Sequence, residues 1–145
     1  MDRNNSQFIS RLGRSYRGEL EAISEYLYNS IMTEPYDKAE SELFEQVSED
    51  EMRHFRLIGE MIRDLGGNPV IRTFIGVPPL SPEGLRQTEG RLPDSLYDRL
   101  LRDETDARAE YLALAEIAPT AEAAETLRRI ASDEERHAGL WRREE

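Results

Sequence analysis

The sequence contains the same five-residue pattern twice, and its only two histidines both lie in that pattern. Residues 50–54 read Asp-Glu-Met-Arg-His, and residues 133–137 read Asp-Glu-Glu-Arg-His. Residues three positions apart on an α-helix lie on one face, one turn apart, so the Glu and His of each copy can reach a common point. A single Glu-x-x-His is more often a surface ion pair than a pair of metal ligands. Two copies, each on its own helix, predict a site for two metal ions.

Both copies fall on the apolar face of a predicted helix. The three-and-four-residue step of a buried helical face is followed by Val47, Glu51, His54, Ile58, Met61 and Leu65, and again by Leu127, Ile130, Glu134, His137 and Trp141. Ionised carboxylates buried without partners would be strongly destabilising or would become protonated. Arg53 and Arg136 are not the expected partners, because each adjoins its histidine and so points about 100° away around the helix. We predict that both arginines lie at the surface.

The duplication extends upstream of both motifs. Residues 19–26 and 104–111 both fit the pattern Glu-x-x-Ala-x-x-x-Tyr, and each precedes its Glu-x-x-His by a similar interval. The chain is therefore predicted to be a duplicated helical hairpin.

One acid in each upstream segment is expected to face inward. Glu104 lies on an apolar stripe with Leu100 and Tyr111, whereas Glu110 shares its face with other acids and is expected on the solvated side.

In the first segment the inward-facing acid is predicted to be Glu19. It shares a face with Ile23 and Tyr26, while Glu21 and Glu25 are predicted to be exposed.

Turn-forming residues divide the chain into four helical stretches. The predicted helices begin near Asn5, Asp37, Pro93 and Thr120 and end near Thr33, Leu65, Ile117 and Arg143. The connections at 34–36 and 118–119 are short enough to require antiparallel turns. Residues 66–92 show no sustained helical period, and at about 3.3 Å per residue they could run the length of a bundle.

We therefore predict an all-α, ferritin-like four-helix bundle in which residues 66–92 cross over between two antiparallel hairpins, all within one domain of residues 1–145. A flexible linker between independent hairpins is the alternative. It is disfavoured by the apolar residues of the crossover, which should pack on a surface: Val70, Ile71, Phe74, Ile75 and Val77. Glu19, Glu51, Glu104 and Glu134 lie near the helix midpoints, so folding should bring them to one level.

Composition excludes several classes of function. The net charge of −11 argues against nucleic acid or an anionic membrane as a partner, because both require clustered Lys and Arg. The absence of cysteine excludes disulfides, thiol chemistry and a rubredoxin-type iron centre within this sequence. No apolar run approaches a membrane span or a signal peptide, so a cytoplasmic location is expected.

With these motifs in place, the sequence resembles the ferritin-like superfamily, and within it the rubrerythrin and bacterioferritin group of di-iron carboxylate proteins. The resemblance covers most of the chain, and residues 57–67 also look like the segment that follows the motif in that group and in manganese-catalase relatives. In that family one Glu comes from each of two helices and a Glu-x-x-His from each of the other two. The metal ligands that the resemblance implies are Glu19, Glu51, His54, Glu104, Glu134 and His137.

The resemblance also implies a role for each residue. Glu51 and Glu134 would bridge both metals, Glu19 and His54 would complete one site, and Glu104 and His137 would complete the other. Two tyrosines, Tyr26 and Tyr111, would hydrogen-bond ligands and act in catalysis, and two aspartates, Asp50 and Asp133, would hold the imidazoles. The given sequence departs from the pattern in two ways, because it lacks the cysteines of a rubredoxin domain and because no fifth helix is expected in the residues that follow Trp141.

Four carboxylates and two imidazoles suit two iron ions, with manganese as an alternative. The expected function is oxidation of ferrous iron or turnover of O2 or H2O2, with a possible external electron donor. The alternatives are a dimanganese catalase, an iron storage or scavenging protein, and a bundle that metal stabilises without turnover. A homo-oligomer is expected, with a dimer favoured because the apolar crossover could cover a partner subunit.

Overall fold

The computed structural model describes residues 3–71 and 75–143. Over these ranges the chain forms helices and no β-strand. The helices are α1 (Arg3–Thr33), α2 (Lys38–Asp64), α3 (Pro82–Thr88), α4 (Asp94–Glu116) and α5 (Ala121–Trp141). The long helices pack as two hairpins, α1 with α2 and α4 with α5. The predicted all-α four-helix bundle is confirmed.

Short polar contacts set the ends of the long helices. The side chain of Asp37 accepts a hydrogen bond from the backbone N–H of Glu40 (3.0 Å), and Thr120 accepts one from Ala123 (3.1 Å), so both residues cap a helix N-terminus. The backbone N–H of Asp37 also donates to the carbonyl of Thr33 (2.9 Å), which closes the turn between α1 and α2. The predicted boundaries of the four long helices agree with the structure to within two residues.

The crossover contains a short helix, α3, that the sequence analysis did not predict. The side chain of Ser81 caps it by accepting from Gly84 (3.0 Å), and Pro82 fills the first helical position. Leu85 is its one buried residue. Seven residues are too few for a helical period to stand out, which is why the pattern missed this element.

The end of α3 requires glycine at residue 90. Glu89 and Gly90 both have positive φ, at 55° and 85°. A Cβ on Gly90 would lie 2.2 Å from the Cβ of Tyr36. Glycine is therefore required here for two reasons, the left-handed backbone conformation and the close approach of Tyr36. The crossover is thereby held against the turn that joins α1 to α2.

The crossover lies on the bundle at other points too. The backbone N–H of Leu80 donates to the hydroxyl of Tyr28 on α1 (3.0 Å). Val70 and Ile71 are exposed over nearly half of their surface, at 44% and 48%. Phe74, one of the residues on which the dimer prediction rests, lies outside the described residues. A dimer therefore stays a prediction.

Two apolar clusters fill the bundle, one on each side of its middle. The first cluster combines the aromatic residues Phe8, Tyr16 and Tyr111 with aliphatic ones, which include Leu12, Ile58, Ile62, Leu114, Leu127 and Ile130. The second cluster includes Tyr26, Phe44, Val47, Tyr97, Leu100 and Trp141. No helix in the described ranges is both long and apolar enough to cross a membrane.

Candidate metal centre

Six polar side chains are buried in the middle of the bundle, each at most 3% exposed. They are Glu19 from α1, Glu51 and His54 from α2, Glu104 from α4, and Glu134 and His137 from α5. These are the six residues for which metal binding was predicted, so the structure brings all of them together. Each long helix contributes a carboxylate, because the inward-facing stripe of each helix has a glutamate at the same height in the bundle.

The imidazoles face carboxylates from neighbouring helices. Nδ1 of His54 lies 3.0 Å from Oε1 of Glu134, 3.1 Å from Oε1 of Glu51 and 3.7 Å from Oε1 of Glu19. Nδ1 of His137 lies 3.3 Å from Glu51 and 3.5 Å from Glu104. Both rings thus point the same nitrogen into the cluster.

The six residues form two overlapping groups. In each group one ligand atom per residue lies within 4.8 Å of all the others. One group is Glu19, Glu51, His54 and Glu134, and the other is Glu51, Glu104, Glu134 and His137. Because Glu51 and Glu134 belong to both groups, they lie between two possible cation positions.

Every residue of the cluster lacks one hydrogen bond. Each of the six residues has one buried atom without a hydrogen-bond partner: Glu19 Oε2, Glu51 Oε1, His54 Nδ1, Glu104 Oε2, Glu134 Oε1 and His137 Nδ1. Elsewhere in the described part of the chain, only the side-chain amide of Asn29 is left in this state. Buried polar atoms are rarely left unpaired, so six converging ones fit a bound cation. Four carboxylates would also neutralise two divalent ions, and oxygen with imidazole nitrogen suits iron or manganese.

Two tyrosines hold the terminal glutamates, and each reaches across to the other hairpin. The hydroxyl of Tyr26 on α1 donates to Oε1 of Glu104 on α4 (2.5 Å). The hydroxyl of Tyr111 on α4 donates to Oε1 of Glu19 on α1. Each bond fixes one carboxylate oxygen and leaves the other free for a cation.

The two aspartates of the repeated motif also cross between hairpins. Nε2 of His54 lies 2.8 Å from Oδ2 of Asp133, and Nε2 of His137 lies 2.8 Å from Oδ2 of Asp50. When each imidazole is neutral and Nε2 carries the proton that the aspartate accepts, the lone pair of Nδ1 faces the cluster and is free to bind a cation. The family resemblance implied that Asp50 and Asp133 hold the imidazoles, but it did not indicate that each aspartate contacts the histidine of the other copy of the motif.

Arginines secure these aspartates from outside. Nη2 of Arg136 lies 3.1 Å from both Asp50 and Asp133, and Arg53 forms an ion pair with Asp50. The side chains of both arginines are more than half exposed. The prediction that they lie at the surface is confirmed, and their ion pairs add a contact that it missed.

Without a cation, the cluster retains protons. Burial raises the pKa of Glu134 to about 11, although His54 acts against this, and burial together with the charge of Glu19 holds the pKa of Glu51 well above its usual value. Burial lowers the pKa of His54, but the carboxylates of Glu134, Glu19 and Glu51 outweigh it and raise that pKa. The cluster is therefore electrostatically strained whenever these carboxylates ionise.

A cleft of about 600 Å³ between α1 and α4 reaches the buried carboxylates. Its outer walls include Glu21, Asp103 and Asp106, and at Gly18 even an added Cβ would meet open space. The cleft gives small molecules and cations a route to the centre of the bundle.

Ion pairs tie α1 to α4 along this cleft. Arg11 pairs with Glu110, and Nη1 of Arg99 lies 3.0 Å from Oε1 of Glu25. The expected exposure of Glu25 was wrong, because the pair with Arg99 leaves its side chain only 14% exposed. A long-range ion pair of this kind has no local sequence signal.

Comparison with known proteins agrees with this architecture. None of the curated proteins compared with the chain matches it. The X-ray structure of the bacterioferritin of Desulfovibrio desulfuricans, determined with its diiron site in different catalytic states, is similar in fold with a TM-score of 0.76. The two sequences are 21% identical, and the match covers 95% of this chain and 77% of that one. A family model for the ferritin-like domain matches residues 9–140. The chain thus belongs to the ferritin-like family.

Proposed function

We propose that the chain is a non-haem di-iron oxidoreductase of the ferroxidase or peroxidase type. One observation carries the proposal: six buried, unpaired donor atoms, one from each residue of the cluster, converge in two groups that share two glutamates. The diiron site of the bacterioferritin with a similar fold supports iron as the metal.

The grouping suggests how the residues would divide between two ions. Glu51 and Glu134 would bridge the ions, because both lie in each group. Glu19 and His54 would complete one site, and Glu104 and His137 the other. Two bound iron ions would supply the transfer of electrons from ferrous iron or a reductant to O2 or H2O2.

The protein's own contribution is to position the ligands. The tyrosine hydroxyls hold Glu104 and Glu19 in place, and the aspartates hold both rings with Nδ1 inward. Apolar clusters close the centre on two sides, which leaves the cleft between α1 and α4 as the route from solvent. The pKa values of Tyr26 and Tyr111 are raised by burial, so both phenols keep their protons at neutral pH.

Oxygen uptake tests the proposed activity. Ferrous iron added to the metal-free protein in aerated buffer should be oxidised faster than in buffer alone. The variant Glu51→Ala with Glu134→Ala should fall to the buffer rate. A control with the same loss of charge, Glu45→Ala with Glu49→Ala on the exposed side of α2, should behave like the intact protein. Iron that binds without any acceleration of oxygen uptake would identify a scaffold or a store instead of an enzyme.

Because each aspartate contacts the histidine of the other hairpin, a single substitution is predicted to affect one metal site and spare the other. Replacing Asp133 by Asn removes the carboxylate behind His54, and loss of such a partner typically weakens metal affinity about 10–100-fold. One of the two ions should be affected, because His137 keeps Asp50. Competition with a chelator measures both affinities, and Asp64→Asn on the surface is the control. An equal loss of affinity for both ions would show that Asp133 does not support one of the two metal sites alone.

A further inference from the structure

The cleft between α1 and α4 is larger than a ferrous ion, O2 or H2O2 requires. Its volume is about 600 Å³, whereas a water-sized molecule occupies about 30 Å³. Pockets that hold small organic ligands range from about 300 to about 1,000 Å³. The cleft therefore has the size of a binding site for an organic molecule.

Small side chains open the cleft at equivalent positions of the two helices. Residues 19–26 recur as residues 104–111, and in this repeat Ala107 corresponds to Ala22. Both alanines line the cleft and are half-buried. Gly18 lies one turn before Ala22 and also lines the cleft. A longer side chain at either alanine would narrow the space, so both halves of the duplication contribute to its width.

Below its rim the cleft is lined by apolar side chains, and its floor is the candidate metal centre. The two alanines and Leu100 form this apolar part of the lining. Beneath them lie the carboxylates of Glu19 and Glu104, each 3% exposed and each with Oε2 unpaired. A molecule that fills the cleft would therefore pack against apolar side chains and present its inner end to the buried carboxylates.

The rim of the cleft carries an excess of negative charge. Five carboxylates line it against one arginine, and these residues are Glu21, Glu25, Asp103, Asp106, Glu110 and Arg14. Glu25 and Glu110 are paired with arginines of the opposite helix. Within residues 3–71 and 75–143, Glu21 and Asp106 have no ion-pair partner. Unpaired carboxylates of this kind attract a cation to the cleft and repel an anion.

We propose that the cleft binds a small organic ammonium ion with an apolar body, and that the end of this molecule opposite the ammonium is oxidised at the centre. The ammonium would pair with Glu21 and Asp106, and the apolar body would pack against Leu100 and the two alanines. This inference rests on the proposed function, because it names the class of reducing substrate that would support turnover of H2O2.

Tyramine is a suitable probe, because two methylene groups join its ammonium to an oxidisable phenol. Each of two tyramine molecules loses one electron and one proton from its phenol, and the resulting radicals leave the cleft. They couple in solution through a new carbon–carbon bond to give dityramine. The two electrons and two protons break the O–O bond of H2O2 and convert it to two waters. Electrons and atoms balance without any further reactant.

Calorimetric titration of the metal-free protein tests the site without iron. Tyramine should bind more tightly than 4-ethylphenol, which has the same ring and no ammonium, and the anion 3-(4-hydroxyphenyl)propionate should bind most weakly. Glu21→Gln with Asp106→Asn should weaken tyramine binding about tenfold, since one exposed ion pair changes an affinity by up to about fivefold. Equal affinity for the three phenols would overturn the proposal.

Two controls locate the binding. Glu45→Gln with Glu49→Gln, which removes two exposed charges from α2, should bind tyramine as the intact protein does. Ala22→Leu with Ala107→Leu narrows the cleft and should reduce the affinity. Ala109→Leu with Ala113→Leu on the exposed side of α4 should not. Circular dichroism confirms that each variant is folded. Undiminished binding in the variant with the narrowed cleft would show that tyramine binds elsewhere.

Turnover is measured in the iron-loaded protein by the fluorescence of dityramine after H2O2 is added. Glu21→Gln with Asp106→Asn should raise the KM for tyramine about tenfold and leave the KM for 4-ethylphenol unchanged. A protein that oxidises ferrous iron but forms no dityramine would overturn this substrate class and leave the proposed function standing. A protein that turns over neither O2 nor H2O2 would contradict the proposed function, while the titration decides separately whether the cleft binds organic cations.

Discussion

The intact protein is expected to bind two ferrous ions per chain, and Glu51→Ala with Glu134→Ala is expected to bind none. The two glutamates belong to both groups of converging donor atoms, so their removal leaves each group with two residues. Replacing His54 by Ala removes a donor from one group alone and should reduce the number of bound ions to one. Anaerobic calorimetric titration measures both quantities.

The control for this titration is Glu45→Ala with Glu49→Ala, which removes two exposed carboxylates from the same helix. It should bind as many ions as the intact protein. A single ion in the intact protein would contradict a two-metal centre. Undiminished binding in Glu51→Ala with Glu134→Ala would place the ions elsewhere on this acidic surface.

Local geometry explains why the inward-facing residues could be read from the sequence. Glu51 and His54 are three positions apart, and a helix alone brings them to one face. The level of the four glutamates followed from the helix midpoints and needed no knowledge of packing. Each of these inferences uses only the period of a helix and the positions of its ends.

The partners that cross between hairpins could not be predicted in the same way. Asp133 meets His54 and Tyr26 meets Glu104 because α1 and α2 pack at a particular height against α4 and α5. A shift of one residue along a helix moves a side chain by about 1.5 Å and rotates it by about 100°. Sequence period does not determine relative height to that precision.

The contacts of Trp141 could not be predicted from the sequence for the same reason. Its place on an apolar stripe predicted burial, which the structure confirms at 1% exposure. Its hydrogen bond to Tyr26 and its distance from Tyr97 depend on three helices at once.

The metal-free protein should lose stability as the pH rises from about 5 to about 9, whereas the metal-loaded protein should not. The pKa of Glu134 is raised from the ordinary 4.5 to about 11, so between these values the folded state holds a proton that the unfolded state has lost. A group of this kind contributes stability that is fully present below 4.5 and is lost as the pH rises towards the folded pKa. The raised pKa values of Glu51 and His54 act in the same direction.

Metal reverses this dependence because it binds the deprotonated ligands, and so binds more tightly at higher pH. A ligand at 100 times its dissociation constant stabilises the native state by about 2.7 kcal/mol. Scanning calorimetry with and without ferrous or manganous ions should therefore give midpoints that separate further as the pH increases. Glu51→Gln with Glu134→Gln should flatten the pH dependence of the metal-free protein and abolish the rise caused by metal. An equal rise in that variant, or a metal-free midpoint that climbs with pH, would show that the buried carboxylates do not couple metal binding to folding.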